Sequence, residues 1–323
     1  MAVLGIDTSC YTTSIALAQG GRIVAQARRM LDVKQGGRGL RQSDAVFQHN
    51  ARLAALIRQV MGQAPLERID AVCASARPRP TSGSYMPVFT VGEGYGRAVA
   101  AAMRVPFFET SHQQGHLRAA LVDTQADANR PLIAMHLSGG TTETLLYEHG
   151  EITLLGGTKD LHAGQLIDRI GVALGAPFPA GPHLEKLATP SCAESVIPTS
   201  TDGLHCHFSG AEAQARRMIE RGQPPELVAS EVFSVLIRTV AKMLAATVRQ
   251  TRAQQALLFG GVACSTLLRA QLQDRLERLG MTAQVHWARG DLSGDNAAGV
   301  ALLGAEMLAK YRMVFENAPN ASP

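Results

Sequence analysis

Apolar and polar positions alternate with the same layout over two stretches of the chain. Val3 to Asp7 reads as a strand, Thr8-Ser9-Cys10 as a turn of small residues, and Thr12 to Ala18 as a second strand. A third strand, Arg22 to Arg28, follows the turn at Gly20-Gly21. The layout returns as Leu132 to Leu137, a Ser138-Gly139-Gly140 turn, Thr142 to Tyr147, and Ile152 to Leu155 after His149-Gly150. Such alternation between small-residue turns predicts antiparallel strands. Each meander leads into helical periodicity, so the chain reads as two diverged copies of one β-meander-plus-helices unit. The expected division is an N-terminal lobe of residues 1–130, joined by the C-terminal helix, and a second lobe of residues 131–323. Two such lobes facing each other would set two hairpins across one cleft.

The glycine turn at Ser138-Gly139-Gly140 is a candidate phosphate-binding hairpin. Glycines there can take positive φ and leave backbone N–H groups uncovered; the plainer reading is an ordinary hairpin turn. Beyond the first meander, Met30 to Ser43 is polar and reads as a loop. Val46, His49, Leu53, Leu56, Ile57 and Val60 then fall three and four apart, which predicts a helix from Asp44 to about Gly62 with His49 packed on its apolar stripe. Strand Ile69 to Ala74 delivers the chain into Arg77-Pro78-Arg79-Pro80. Alternating Arg and Pro cannot form a helix, so Arg77 and Arg79 stand on a stiff loop, either clamping a phosphate or simply solvated.

Strand Val105 to Phe108 runs into Thr110-Ser111-His112, where Thr110 or Ser111 can cap a helix carrying His112 and His116 four apart on one face. Two imidazoles so placed can share one metal ion but need a third ligand. The helix Gly164 to Leu174 carries Asp168, a carboxylate that either accepts ribose hydroxyls or is a surface charge. His205 and His207, two apart on a strand, share a face without further donors nearby. Toward the C-terminus a long helix, Pro225 to Ala253, is followed by strand Ala256 to Phe259, then Gly260-Gly261 and a helix from Ser265 to Leu279. Strand, glycine pair and helix N-terminus together form a second place for an anion or an adenine ring. Asp295 sits at a strand-to-helix junction, where α/β folds place ligand-binding carboxylates.

Composition narrows the classes. The chain has 323 residues, 46% of them apolar and 18% charged, which suits two lobes of ordinary size. No apolar run approaches the length of a membrane span, and the N-terminus enters a strand without the features of a signal peptide, so a cytoplasmic location is expected. Five scattered cysteines without a C-x-x-C pair argue against a disulfide framework or a zinc knot. A net charge of +4 is compatible with RNA but selects nothing.

Several short strings in one order then resemble a known family over nearly the whole chain. They are Gly5-Ile6-Asp7-Thr8-Ser9-Cys10, His112-Gln113-Gln114-Gly115-His116, Leu137-Ser138-Gly139-Gly140, Ala163-Gly164 with Asp168-Arg169, Pro179 to Pro182, Phe208-Ser209-Gly210, Gly260-Gly261-Val262 and Asp295-Asn296. The chain resembles the tRNA threonylcarbamoyladenosine synthases (TsaD), long called O-sialoglycoprotein endopeptidases, which share the duplicated actin-like/sugar-kinase/Hsp70 (ASKHA) α/β fold. The resemblance implies that His112, His116 and Asp295 bind one divalent metal, iron or zinc. It implies that Leu137, Ser138, Gly139, Gly140 and Thr141 line the phosphate and carbamoyl end of an adenylate, threonylcarbamoyl-AMP or ATP/ADP. Asp168 would hold the ribose, Gly181 the nucleoside, and Gly260, Gly261 and Ser265 the rest of the nucleotide. The implied reaction moves a threonylcarbamoyl group from AMP to the exocyclic amine of an adenosine in tRNA, with partner proteins of the same pathway, no membrane, and a dimer as a further expectation.

The chain departs from the family at defined positions. Tyr11-Thr12 replaces an Asp-Glu pair, Thr141 a histidine, Ser265 an asparagine, and Arg77 to Tyr85 a glycine-rich loop. Two carboxylates beside a reacting group can serve as base or positioning contact, worth about 10²- to 10⁴-fold in rate. A second reading is therefore a non-catalytic metal- and nucleotide-binding paralogue. A third, a small-molecule kinase or carbamoyltransferase on the same fold, would need ATP with magnesium, whereas a histidine pair suits a softer metal. No His-Glu-x-x-His string supports a peptidase.

Overall fold

The computed structural model describes residues 1–9, 11–32, 40–64, 68–189, 196–294 and 297–316. The first meander forms as β1 (Ala2–Ser9), β2 (Thr12–Gln19) and β3 (Arg22–Met30). It is followed by α1 (Gln42–Gln63), β4 (Ala71–Arg77), α2 (Phe89–Met103), β5 (Phe107–Ser111) and α3 (His112–Ala120). Residues 33–39 of the loop expected at Met30 to Ser43 lie outside the described residues. The second meander is β6 (Leu132–Leu137), β7 (Thr142–Glu148) and β8 (Glu151–Gly157). Helices α4 (Ala163–Ala173) and α5 (Gly181–Leu187), the short hairpin β9 (Ser200–Asp202) and β10 (His205–His207), and helices α6 (Ser209–Glu220) and α7 (Pro225–Thr251) come next. The chain ends with β11 (Gln255–Phe259), α8 (Thr266–Arg278), β12 (Gln284–Trp287) and α9 (Ala298–Glu316).

The duplication is explicit in the sheets. One has the order β3-β2-β1-β4-β5 and the other, read from its meander edge, β8-β7-β6-β11-β12. In both, the meander strands pair antiparallel and the remaining two join in parallel. Parallel pairing needs a crossover, which α1, α2, α7 and α8 supply.

Two compact units result: residues 1–120 with 294–323, and residues 121–293. The division falls at 120/121 and 293/294. Residues 121–130 go with the second sheet because Gln255 on β11 bonds the Asp127 backbone at both its N–H, 2.9 Å, and its carbonyl, 2.6 Å. In the first unit β1 is buried along its whole length because both faces are covered. Leu4 and Ile6 pack with Leu53 and Leu56 of α1, while Val3 packs with Val300 and Leu308 of α9. Gly5 and Gly304 are glycines for space, since a Cβ at either would press on Ala301 or Cys73. The second unit is built round α7, whose Val228, Val232, Val235, Leu236, Val240 and Leu244 join Ile133, Met135 and Leu137 of β6 in one core.

Candidate functional site

In the first unit the sequence Phe107–Ser111 ends its strand against a helix start, and this junction aims the two histidines. Ser111 is the cap: its hydroxyl accepts the Gln114 N–H at 3.2 Å, while the Gln114 side chain accepts the Ser111 N–H at 3.0 Å. The helix α3 is then pressed on α9, backbone to backbone where Gly299 meets Gly115. A Cβ at Gly115 would meet Val300, and one at Gly299 would fall inside the Gly115 carbonyl oxygen. Held in this way, His112 and His116 bring their Nε2 atoms to 2.9 Å from each other.

Asp7, fully buried on β1, completes the cluster. Both its oxygens lie 3.1 Å from His112 Nδ1, and the Ser75 hydroxyl of β4 donates to Oδ1. In sequence Asp7 stands at the end of a strand with no role assigned to it; a lone carboxylate after an apolar run is the available signal, since such a charge must be met by partners. His49 is a packed residue whose Nδ1 lies 2.8 Å from the Thr13 hydroxyl, and burial lowers its pKa below the ordinary histidine value. Among the described residues no group of three or more His, Cys, Asp or Glu side chains is arranged to hold a metal ion. Asp295 lies outside the described residues. The pair His112 and His116 nevertheless suits a metal, because two imidazole nitrogens this close need either a proton or a cation shared between them.

The remaining candidates of this unit are placed differently from expectation. Arg77 closes β4 instead of standing on the loop, and its guanidinium lies 3.7 Å from Glu109, a carboxylate that Arg97 also engages. Arg77 is thus not presented as a free phosphate clamp. The Arg79 backbone N–H donates to Ser84 Oγ at 2.9 Å, folding the Arg-Pro segment into its own turn. Tyr11 is exposed at the β1–β2 turn and Thr12 is buried within β2.

In the second unit the β6–β7 turn is not an open anion nest. Ser138 Oγ accepts the N–H groups of Gly140 at 3.3 Å and Thr141 at 3.0 Å, and Gly139 lies under Gly164 of α4. Neither Gly139 nor Gly140 has positive φ. Both are exposed, with nothing within 4 Å of where a Cβ would stand, so neither backbone conformation nor packing within the protein asks for glycine there. The start of α4 docks on the same turn, Ala163 N–H to Thr142 Oγ1 at 2.8 Å and Gly164 N–H to the Ser138 carbonyl at 3.1 Å. Leu137 is buried and its carbonyl abuts Gly260, whose φ of +98° and close neighbours make glycine obligatory.

Asp168 faces the start of α5, accepting the Ala180 N–H at 2.8 Å. Burial pushes its carboxyl above the ordinary range, while the N–H groups of Ala180 and Gly181 pull the other way. The N-terminus of α8, expected to take an anion or an adenine ring, has its first N–H groups met by the protein itself. Ser265 Oγ accepts the Leu268 N–H at 3.1 Å, and Glu185 Oε1 accepts the Leu267 N–H at 2.8 Å and the Thr266 hydroxyl at 2.7 Å. A second anion beside the Glu185 carboxylate meets like charge, so a neutral ring fits that position better than a phosphate. Gly261 stands open there, exposed and uncrowded. His205 and His207 form part of a three-residue strand and join no ligand group among the described residues.

These two sheets of one order, each a meander continued by parallel strands, define an actin-like/sugar-kinase architecture, and solved structures agree. The ROK hexokinase of Thermus thermophilus superposes with TM-score 0.56 at 15% identity, covering 96% of this chain and 100% of that one. The activator of 2-hydroxyisocaproyl-CoA dehydratase from Clostridium difficile, solved with bound ADPNP, gives 0.55 at 14% identity with 100% of both chains covered. Within that class the sequence is specific. Residues 25–302 match the family described as TsaD, tRNA N6-adenosine threonylcarbamoyltransferase. The protein of that name from Geobacillus kaustophilus is 32% identical over 99% of this chain and 95% of its own length. The chain belongs to the TsaD family.

Proposed function

We propose that this chain transfers a threonylcarbamoyl group from threonylcarbamoyl-AMP to N6 of an adenosine in tRNA. The observation that carries the reading is the family match over residues 25–302, joined by a relative of nearly equal length. Geometry supports it in each unit separately. In the first, His112 and His116 converge through Nε2 and, with Asp295, would hold one divalent ion, iron or zinc. Such an ion supplies Lewis-acid polarisation of the substrate oxygens.

In the second unit, Gly139 and Gly140 leave their Cα faces open to the phosphate and carbamoyl end of an adenylate. Ser138 holds that turn rigid, and Leu137 and Thr141 flank it. Asp168, which accepts the Ala180 N–H at the start of α5, would take the ribose, with Gly181 against the nucleoside. Gly260, Gly261 and Ser265 shape the place for the base. Transfer in this arrangement relies on positioning and polarisation, because position 11 carries an exposed phenol and position 12 a buried hydroxyl in place of carboxylates. Among the described residues no helix is long and apolar enough to cross a membrane. Work in the cytoplasm on tRNA, with pathway partner proteins and as a dimer, belongs to the same proposal.

The test is transfer of labelled threonylcarbamoyl from its adenylate to unmodified tRNA, by metal-loaded protein alone and with lysate added. Product from the wild type and none from His112→Ala is expected. An absence of product in both settings, with nucleotide still bound, would establish the non-catalytic paralogue instead.

A further inference from the structure

We infer that Asp7, held by Ser75, is a positioning residue that fixes His112 for metal binding. The inference rests on the reading of His112 and His116 as metal ligands. It starts from a cost: a carboxylate that is fully buried on an apolar strand is unfavourable by several kcal/mol unless its oxygens are met. The partners of Asp7 are the Ser75 hydroxyl, on the parallel neighbour β4, and the imidazole of His112 on α3. Neither a lysine nor an arginine forms an ion pair with it among the described residues, and the ring that faces it is the imidazole of His112.

An ionised carboxylate with both oxygens 3.1 Å from Nδ1 requires the proton to be on that nitrogen. The lone pair of His112 is thereby left on Nε2, the atom that approaches His116. Nδ1 and Nε2 lie on separate edges of the ring, so Asp7 grips the edge opposite the one that would meet the ion. Direct ligation by Asp7 would draw its oxygens away from His112 Nδ1. The hydrogen bond also makes His112 a stronger donor, which is the usual role of a carboxylate behind a ligating histidine. Ser75 occupies one lone pair of Oδ1 and stops the carboxylate from turning away.

The plain alternative is a buried ion pair that serves folding only. The two differ in what Asp7→Asn does. An amide is nearly isosteric but offers Nδ1 only a weak, uncharged acceptor and can turn its NH2 toward the ring, so the tautomer is no longer fixed. Behind a metal-ligating histidine such changes weaken metal binding about 10- to 100-fold. Ser75→Ala, which leaves the charge in place, should weaken it by a smaller factor.

The experiment uses the full chain labelled with ¹⁵N-histidine, with His112→Gln for assignment, and two readouts. The first, on metal-free protein, is the His112 tautomer from two-bond proton–nitrogen correlations. The second is the Zn²⁺ dissociation constant by competition with a chromophoric chelator, with the Co²⁺ ligand-field spectrum for geometry. Expected are an Nδ1–H tautomer in the wild type, a mixture in Asp7→Asn, zinc binding 10- to 100-fold weaker there, and an intermediate loss in Ser75→Ala. An Nε2–H tautomer in the wild type, or wild-type zinc affinity in both variants, overturns the inference. A wild type that holds the Nδ1–H tautomer yet binds neither Zn²⁺ nor Co²⁺ overturns the ligand reading beneath it, and the tautomer tells the two failures apart. Should Asp7→Asn not fold, the wild-type tautomer and Ser75→Ala decide.

Discussion

Three glycines around the β6–β7 turn separate what the fold needs from what a ligand needs. A Cβ at Gly164 would stand 2.6 Å from the Gly139 nitrogen and 2.8 Å from the Gly139 Cα and the Ser138 carbonyl carbon, all of them backbone. Relief requires α4 to move off the turn by more than half an ångström, stretching the Gly164 to Ser138 bond of 3.1 Å and the Ala163 to Thr142 bond of 2.8 Å. Two weakened hydrogen bonds at about 1 kcal/mol each, with about 1–3 kcal/mol of overpacking, less about 1 kcal/mol of helix propensity gained, give about 2–4 kcal/mol for Gly164→Ala. For a chain of 323 residues that is about 3–6 °C in Tm.

Gly139→Ala and Gly140→Ala add a methyl to open space at ordinary φ, so stability should hold or rise by about 0.4–1 kcal/mol. A ligand lying against those Cα faces meets that methyl directly. At about 1–3 kcal/mol of displaced contact, adenylate affinity falls about 10- to 100-fold. Thermal unfolding and calorimetric titration with ATP on the same preparations check both halves. If Gly140→Ala melts as early as Gly164→Ala, the packing account is wrong. If it is stable and binds nucleotide as the wild type does, the ligand does not approach this turn.

Gly299→Ala places its methyl inside the Gly115 carbonyl and near Ala119 N, so it should lower stability by at least about 3 kcal/mol and weaken zinc binding, whereas Gly94→Ala on open space should do neither; differential scanning fluorimetry and chelator competition read both. The second unit should show two opposite carboxylate effects. Asp160 accepts the N–H groups of Leu161, Phe208 and Ser209 and the Ser209 hydroxyl, which hold its pKa down at about 2, so its contribution is present above 3.8 and lost as pH falls through 2. Since Asp160 is exposed, Asp160→Asn should cost only about 1 kcal/mol at pH 7, with most of that cost gone by pH 2, by urea titration. Asp168, whose pKa is raised by burial, favours the folded state most when protonated and less as pH climbs through its folded value; Asp168→Asn should keep or gain stability at pH 7 while weakening nucleotide binding. Burial pushes the Cys73 and Cys206 thiols up to about 12, so a thiol reagent at pH 8 should leave both untouched in the native protein and modify them once it is denatured, by peptide mapping.

The architecture was legible because its signals are local. Alternation in Val3 to Ala18 and Leu132 to Tyr147 marks strands whatever lies across from them, and the repeated layout carries the duplication. The histidine pair was legible for the same reason, a spacing of four on one helix. What stayed hidden depends on partners far along the chain. Asp7 meets His112 across 105 residues and Ser75 across 68, and no period or motif announces either contact. Glu185 fills the N-terminus of α8 from 82 residues away, so a strand, glycine pair and helix start that look open to a phosphate in sequence are closed to one in the fold. The Ser138 turn shows the limit most clearly. Glycine at Gly139 and Gly140 suggests positive φ and bare amides; the structure gives no positive φ there, and Ser138 Oγ takes the N–H groups of Gly140 and Thr141. Glycine at Gly260 has both a conformational and a steric cause inside the protein, and at Gly164 a steric one. Gly139 and Gly140 have no such internal cause, and a residue choice that the fold does not require points to something outside the chain that does.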